Sequence, residues 1–232
     1  MTHPRPVLEQ TLDLFPTTVT QFSVAEPALD DALIAAVGGL RGDEPETAKE
    51  RIGGQGYFEW QSRTDLQHEE PFATLARILT DAATATLEVL GHVATRLHLT
   101  ECWANVSESG GSHAAHAHPN SFLSAVYFLA VPAGAGVLQF VDPRPQAQVF
   151  SLEVARPSLR NARLVAVEPK ASRLVVFPSW LTHRVDVSSG AGRRITVAAN
   201  FMPVGSVGRP TMGYDLSPPD RGPNGRGGRS GP

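Results

Sequence analysis

The chain has 232 residues, a mass of 24.8 kDa, a hydrophobic share of 41% and a formal net charge of -3 with pI about 6.2. That length suffices for one large domain with its own core, and single all-β domains of this size are common. The charge leaves no electrostatic footprint for nucleic acid, and no apolar run approaches the ~20 residues that cross a bilayer, so neither nucleic acid nor membrane is expected as a partner. One cysteine, Cys102, excludes an intrachain disulfide framework. With an N-terminus that lacks the apolar core of a signal peptide, this suits a reducing cytoplasm.

Across residues 7–24 apolar and polar positions alternate loosely around Pro16, which suits one or two short edge strands. Leu29, Leu33, Ile34, Val37 and Leu40 recur at helical spacing and predict a helix over 27–40, with Gly38 and Gly39 as its stop. The polar, glycine-punctuated stretch that follows reads as a long loop or lid over about 50–66, with Tyr57, Phe58 and Trp60 as its bulky residues. Such aromatics either cover a ligand or pin the loop to the core. A second helix is expected over 71–90, stopping at Gly91, with Phe72, Leu75, Leu79, Ala82, Thr86 and Leu90 in one stripe that packs on a sheet.

Short strand candidates then follow at 97–107, 122–131, 137–141, 148–153, 164–167, 173–177, 182–187 and 194–201, with Gly and Pro turn signals between them. The expectation is a mainly β sandwich or jelly roll flanked by N-terminal α-helices. In domain terms this is one unit over 1–205, with helical support at about 25–92 and a jelly-roll core at about 97–202. Residues 206–232 are expected to form a flexible tail, because SPPDRGPNGRGGRSGP at its end has no apolar side chain apart from proline.

Residues 105–129, NVSESGGSHAAHAHPNSFLSAVYFL, hold the densest chemistry. Side chains two apart on an extended chain point to one side, so His116 and His118 can converge on one ion, whereas His113 has the opposite parity. Histidines also gather by chance on solvated loops. A further histidine, His183, follows the strand-like run ending in Phe177 and Pro178, and Arg193 and Arg194 open the next run. The spacing suits two neighbouring antiparallel strands joined by a turn over 188–192. An His-x-His pair, a distant histidine and a basic residue entering a strand form a metal-site pattern rather than an accident.

The segments Trp103-x-Asn105, His116-x-His118-Pro119, LSAVYFL, DPRP, FPSWLTH and RRITVAAN together resemble the Fe(II)/2-oxoglutarate-dependent oxygenases, in a bacterial branch of that superfamily, over roughly residues 103–201. The resemblance implies a double-stranded β-helix, a cupin-like jelly roll, whose mouth holds Fe(II), with 2-oxoglutarate and O2 as cosubstrates. It implies His116 and His183 as metal ligands, with His118 third where relatives carry a carboxylate, and Asp142 as the alternative third ligand. Arg194 then pairs the distal carboxylate of 2-oxoglutarate, with Thr196, Asn105 and Ser124 as further cosubstrate contacts. His113, Trp60 and Trp180 are candidates to face the substrate. The implied reaction is hydroxylation of a small molecule or of an amino-acid or peptidyl substrate, with release of succinate and CO2. A homodimer is a candidate assembly on which the sequence is silent. The rival readings are a plain cupin with another metal chemistry and a non-catalytic ligand-binding jelly roll. Against the cupin, no glutamate follows His118 at the usual short distance, and a cupin has no use for Arg194.

Overall fold

In the computed structural model, which describes residues 6–43, 59–92, 96–150, 152–208 and 211–216, two antiparallel sheets enclose a cavity. The larger is built from β1 (Thr20–Ser23), β2 (Glu59–Gln61), β3 (Leu97–Ser107), β5 (Leu123–Ala130), β8 (Arg173–Pro178) and β10 (Arg194–Pro203). Its strand order is β1-β8-β5-β10-β3-β2, and the smaller sheet runs β4-β9-β6-β7, from β4 (His113–His116), β6 (Leu138–Val141), β7 (Leu164–Val167) and β9 (His183–Val185). This is the double-stranded β-helix.

Two helices, α1 (Pro27–Asp43) and α2 (Phe72–Val89), cover the outer face of the large sheet. Period-two alternation then sorts the residues of each strand between two environments. On β10, Val197, Ala199 and Phe201 face the helices and join Leu33, Val37, Leu75 and Leu79 in one apolar cluster. Arg194, Thr196, Ala198 and Asn200 face the cavity between the sheets. On β8 the same alternation sends Leu174 and Val176 outward and Val175 and Phe177 inward, where they meet Phe128, Leu138 and Phe140. Asp30 of α1 accepts from the Tyr127 hydroxyl at 2.5 Å and from Ser172 at 2.6 Å, so a buried polar lock fixes the helix on the sheet.

The expected α2 stripe forms as read, with Phe72, Leu75, Leu79, Ala82 and Thr86 buried and Gly91 in the left-handed conformation at φ 71. Several expectations are corrected. Helix α1 runs through Gly38 and Gly39 to Asp43, because Leu33 and Val37 are buried in the core and such packing outweighs the ~1 kcal/mol cost of each glycine. No strand forms over 148–153 among the described residues. A 3-10 turn at Pro145–Gln148 takes its place. Both edges of β6 are already taken by β7 and β9, and Phe150 and Leu152 stay exposed.

Strands β9 and β10 are not neighbours. The turn between them carries the chain from the small sheet to the large one. That crossing is tight: a Cβ on Gly190 would lie 1.7 Å from the Ala133 carbonyl oxygen, so only glycine fits there. Within the expected tail, β11 (Ser206–Val207) and β12 (Tyr214–Asp215) form a small ladder, while 217–232 lies outside the described residues. So do 50–58 of the expected lid, including Tyr57 and Phe58. The rest of that segment is not a loose cover, since β2 pairs with β3 as the edge of the large sheet.

Candidate metal centre

The pairing of β4 with β9 sets His116 directly opposite His183, and an irregularity between His113 and His116 shifts the register along the way. Strand β4 ends at His116, and the backbone N–H of His118 donates to the Ser179 carbonyl at 2.9 Å, which folds this histidine back toward the other two. One nitrogen from each of His116, His118 and His183 then lies within 4.8 Å of the others. His113 stands outside this set, with its ring centroid 5.6 Å from that of His116.

The tautomers follow from the hydrogen bonds. The Nδ1 of His116 faces the Ala114 carbonyl at 2.8 Å, and that of His183 faces the Leu181 carbonyl at 3.0 Å. A carbonyl only accepts, so each Nδ1 carries a proton and each Nε2 is the nitrogen left to face a metal. Burial, reinforced by neighbouring imidazoles, holds His118 and His183 down at about 4. These rings are neutral at pH 7, the state in which imidazole binds a metal.

The facing wall belongs to β3 and β10. Thr196 sits opposite Asn105 across the ladder, and Arg194 sits opposite Ser107. Arg194 is 3% exposed, its guanidinium carbon lies 5.3 Å from the Phe128 ring centroid, and its Nε meets no acceptor. Burial lowers it to about 10 while the Glu59 charge opposes the shift, so it remains a cation at pH 7. Glu59 was not singled out from the sequence. It is buried on β2, accepts from Ser107 Oγ at 2.9 Å and stands 3.2 Å from His113 Nδ1. Burial raises its carboxyl above the usual range, against the lowering effects of Ser107 and Arg194. The alternation of Glu59 and Gln61 around Trp60 was the only trace of it in the sequence.

Together these groups line a cavity of about 470 Å³ that also includes Glu101, Trp103 and Asn200. Four expected contacts fall elsewhere. Trp60 points the opposite way from Glu59 and Gln61, into the helix-side core at 2% exposure, because β2 is paired and alternates. Trp180 is 57% exposed and borders a separate cavity of about 210 Å³ beside Phe122 and Pro178. Ser124 is buried behind the wall, with its hydroxyl 2.8 Å from both Ser179 Oγ and Asn200 Oδ1. The Asp142 carboxylate is engaged by Arg144 through its backbone N–H and its guanidinium and stands outside the histidine group.

Residues 101–200 match the family model described as "Putative 2OG-Fe(II) oxygenase". No curated protein sequence matches. Among solved structures, a prolyl-4-hydroxylase from Pseudomonas putida is similar at TM-score 0.57 and 19% identity, over 82% of this chain and 94% of that one. The α-ketoglutarate-dependent epimerase SnoN from nogalamycin biosynthesis is similar at TM-score 0.60 and 18% identity, over 86% of each chain. HygX from Streptomyces hygroscopicus, with nickel and 2-oxoglutarate bound, is similar at TM-score 0.55 and 14% identity, over 81% and 83%. At these identities the likeness to solved structures is one of fold. Through the barrel segment that carries the histidines and the buried arginine, residues 101–200 are similar to the 2OG-Fe(II) oxygenases, a family of enzymes.

Proposed function

We propose that His116, His118 and His183 hold Fe(II), that Arg194, Thr196 and Asn105 hold 2-oxoglutarate, and that the enzyme hydroxylates a small-molecule, amino-acid or peptidyl substrate. The observation that carries this reading is the convergence of three imidazole nitrogens within 4.8 Å on one wall, with a buried guanidinium lacking an acceptor at Nε on the other.

The donor set fits the group. Three neutral nitrogens suit a first-row divalent ion and add no negative charge, so a dianionic cosubstrate balances the site. Bound Fe(II), with 2-oxoglutarate and O2, supplies the oxidising power that side chains lack, releasing succinate and CO2. The chain's own residues position and shield. The planar fork of Arg194 donates paired hydrogen bonds to a carboxylate, and its burial beside Phe128 strengthens them by excluding water. Thr196 adds a hydroxyl on the same strand face, and Asn105 adds its amide. Val126, Leu138, Val185 and Ala198 give the cavity apolar walls. His113, held by Glu59, faces the substrate.

A single apolar cluster that joins the helices to the sheet supports one domain over 1–205. Among the described residues no helix is long and apolar enough to cross a membrane, and the buried free thiol of Cys102 suits a reducing cytoplasm. The test is Fe(II)-dependent succinate release from 2-oxoglutarate, with amino-acid pools screened for a coupled gain of one oxygen. Succinate that forms without any oxygen gain in a stimulating substrate removes hydroxylation. No succinate at all removes the cosubstrate.

A further inference from the structure

The cavity floor is ordered rung by rung along β3 and β10: Arg194 with Ser107, Thr196 with Asn105, Ala198 with Trp103, and Asn200 with Glu101. Each two-residue step spans about 7 Å, so the floor runs roughly 20 Å from Arg194 to Asn200. The Arg194 end is closed, at 3% exposure, whereas Glu101 is exposed at the open end. Ring centroids of Trp103 and His118 lie 5.7 Å apart, which sets the histidine cluster near the Ala198 and Trp103 rung. Glu101 therefore stands about one rung beyond the histidines, on the side away from Arg194.

The carboxylate at this position is held by a buried chain. Asn200 Nδ2 donates to Glu101 Oε2 at 2.8 Å, Ser124 Oγ donates to Asn200 Oδ1 at 2.8 Å, and Ser179 Oγ lies 2.8 Å from Ser124 Oγ. Ser179, Ser124 and Asn200 are exposed by only 0%, 2% and 2%. Because Ser124 supplies a donor to Oδ1, the Asn200 amide must turn its NH2 toward Glu101, and Ser179 must donate to Ser124. The bonds satisfy each buried group in the chain, and its outer end holds the exposed carboxylate in one position. Among the described residues no cation pairs with Glu101.

We infer that Glu101, aimed by Asn200 and flanked by Trp103, is the subsite for a protonated amine of the substrate. The inference rests on the oxygenase reading and narrows its substrate to amines whose reacting carbon lies a few bonds from the ammonium. An ionised carboxylate is acceptor-only and pairs best with a cationic donor. An indole on the same wall is a favourable neighbour for that cation, and the small Ala198 side chain leaves the floor open between the subsite and the histidines. The closed end of the cavity holds Arg194 beside Glu59, whereas Glu101 at the open end meets no cation among the described residues, which favours entry of the ammonium from that side.

The probes are Nα-acetyl-lysine methylamide, which carries one ammonium, and its neutral Nε-acetylated counterpart, titrated calorimetrically into protein loaded with Ni(II) and 2-oxoglutarate. The ammonium probe binds at least about tenfold more tightly, and Glu101→Gln abolishes that preference. Asn200→Ala reduces it while leaving the carboxylate in place. Equal affinity for the two probes, no binding of either, or a preference that survives Glu101→Gln overturns the inference. Titration of 2-oxoglutarate is a separate arm. Should it fail, the amine probes are titrated into the metal-free protein, where a surviving Glu101-dependent preference keeps the subsite and discards the cosubstrate.

Discussion

The two sheets bring different kinds of order to one cavity. The large sheet is covered on both faces, so β10 is buried at every position from Arg194 to Asn200 and on to Phe201. Its inward groups, Arg194, Thr196 and Asn105, take their positions from a ladder backed by helices. The small sheet is thin. Strand β4 has no fully buried residue, and β7 alternates toward solvent. Its histidines are placed instead by short local hydrogen bonds to the carbonyls of Ala114 and Leu181 and by the Ser179 carbonyl that captures the His118 amide. On the proposed assignment, metal binding rests on one sheet and cosubstrate binding on the other, so mutation separates them.

The largest effect comes from crossing the two walls. His183→Ala lowers Fe(II) affinity by at least about 100-fold, more than loss of an outer-shell partner typically costs, and His118→Ala does likewise. Arg194→Ala leaves the metal bound but weakens 2-oxoglutarate by about 2–5 kcal/mol, as truncating a buried charge partner does. Equilibrium dialysis for the metal and calorimetry for the cosubstrate read the two arms. If Arg194→Ala also strips the metal, the walls are not independent.

Next in size is the support behind the large sheet. Phe201→Ala opens a cavity between sheet and helices and costs about 3–5 kcal/mol in urea unfolding, while metal affinity of the folded fraction changes little. Acidification acts on the other side. His113, His118 and His183 are each lowered to about 4 from 6.5, chiefly by burial. A depressed pKa means the folded state prefers the neutral ring, so their stabilising contribution is present above 6.5 and is lost as pH falls toward 4. Melting temperatures of the metal-free protein fall through that window, and His113→Asn flattens the slope. A pH-independent melting temperature between 6.5 and 4 would contradict the burial of these rings.

Smallest is the rim. Glu108 accepts from Arg41 at 2.8 Å and from Arg193 at 3.2 Å, yet it is over a third exposed. Glu108→Gln therefore costs below about 1 kcal/mol, and less in high salt. A greater loss would mean that α1 is tied to the sheet through this contact rather than through Asp30.

Features carried by local periodicity were legible in the chain. The α2 stripe, β3, β7 and β10 follow from spacing alone, and so does the shared face of Asn105, Thr196 and Arg194 once pairing is assumed. The roles of Glu59 and Glu101 were not legible. Glu59 acquires its place from Ser107, 48 residues away, and Glu101 from Asn200, 99 residues away. From the sequence, Trp60, an aromatic in the expected lid, and Trp180 are both candidates to face the substrate. Sheet pairing turned Trp60 into the core and left Trp180 against a different cavity.

By itself the sequence determined which residues can do the chemistry, because imidazole pairs, a guanidinium entering a strand and period-two alternation are properties of neighbours in the chain. The tertiary structure alone decided which of them share a cavity. Strand register assigns every side chain to the inside or the outside, and register is set by contacts between segments far apart in sequence.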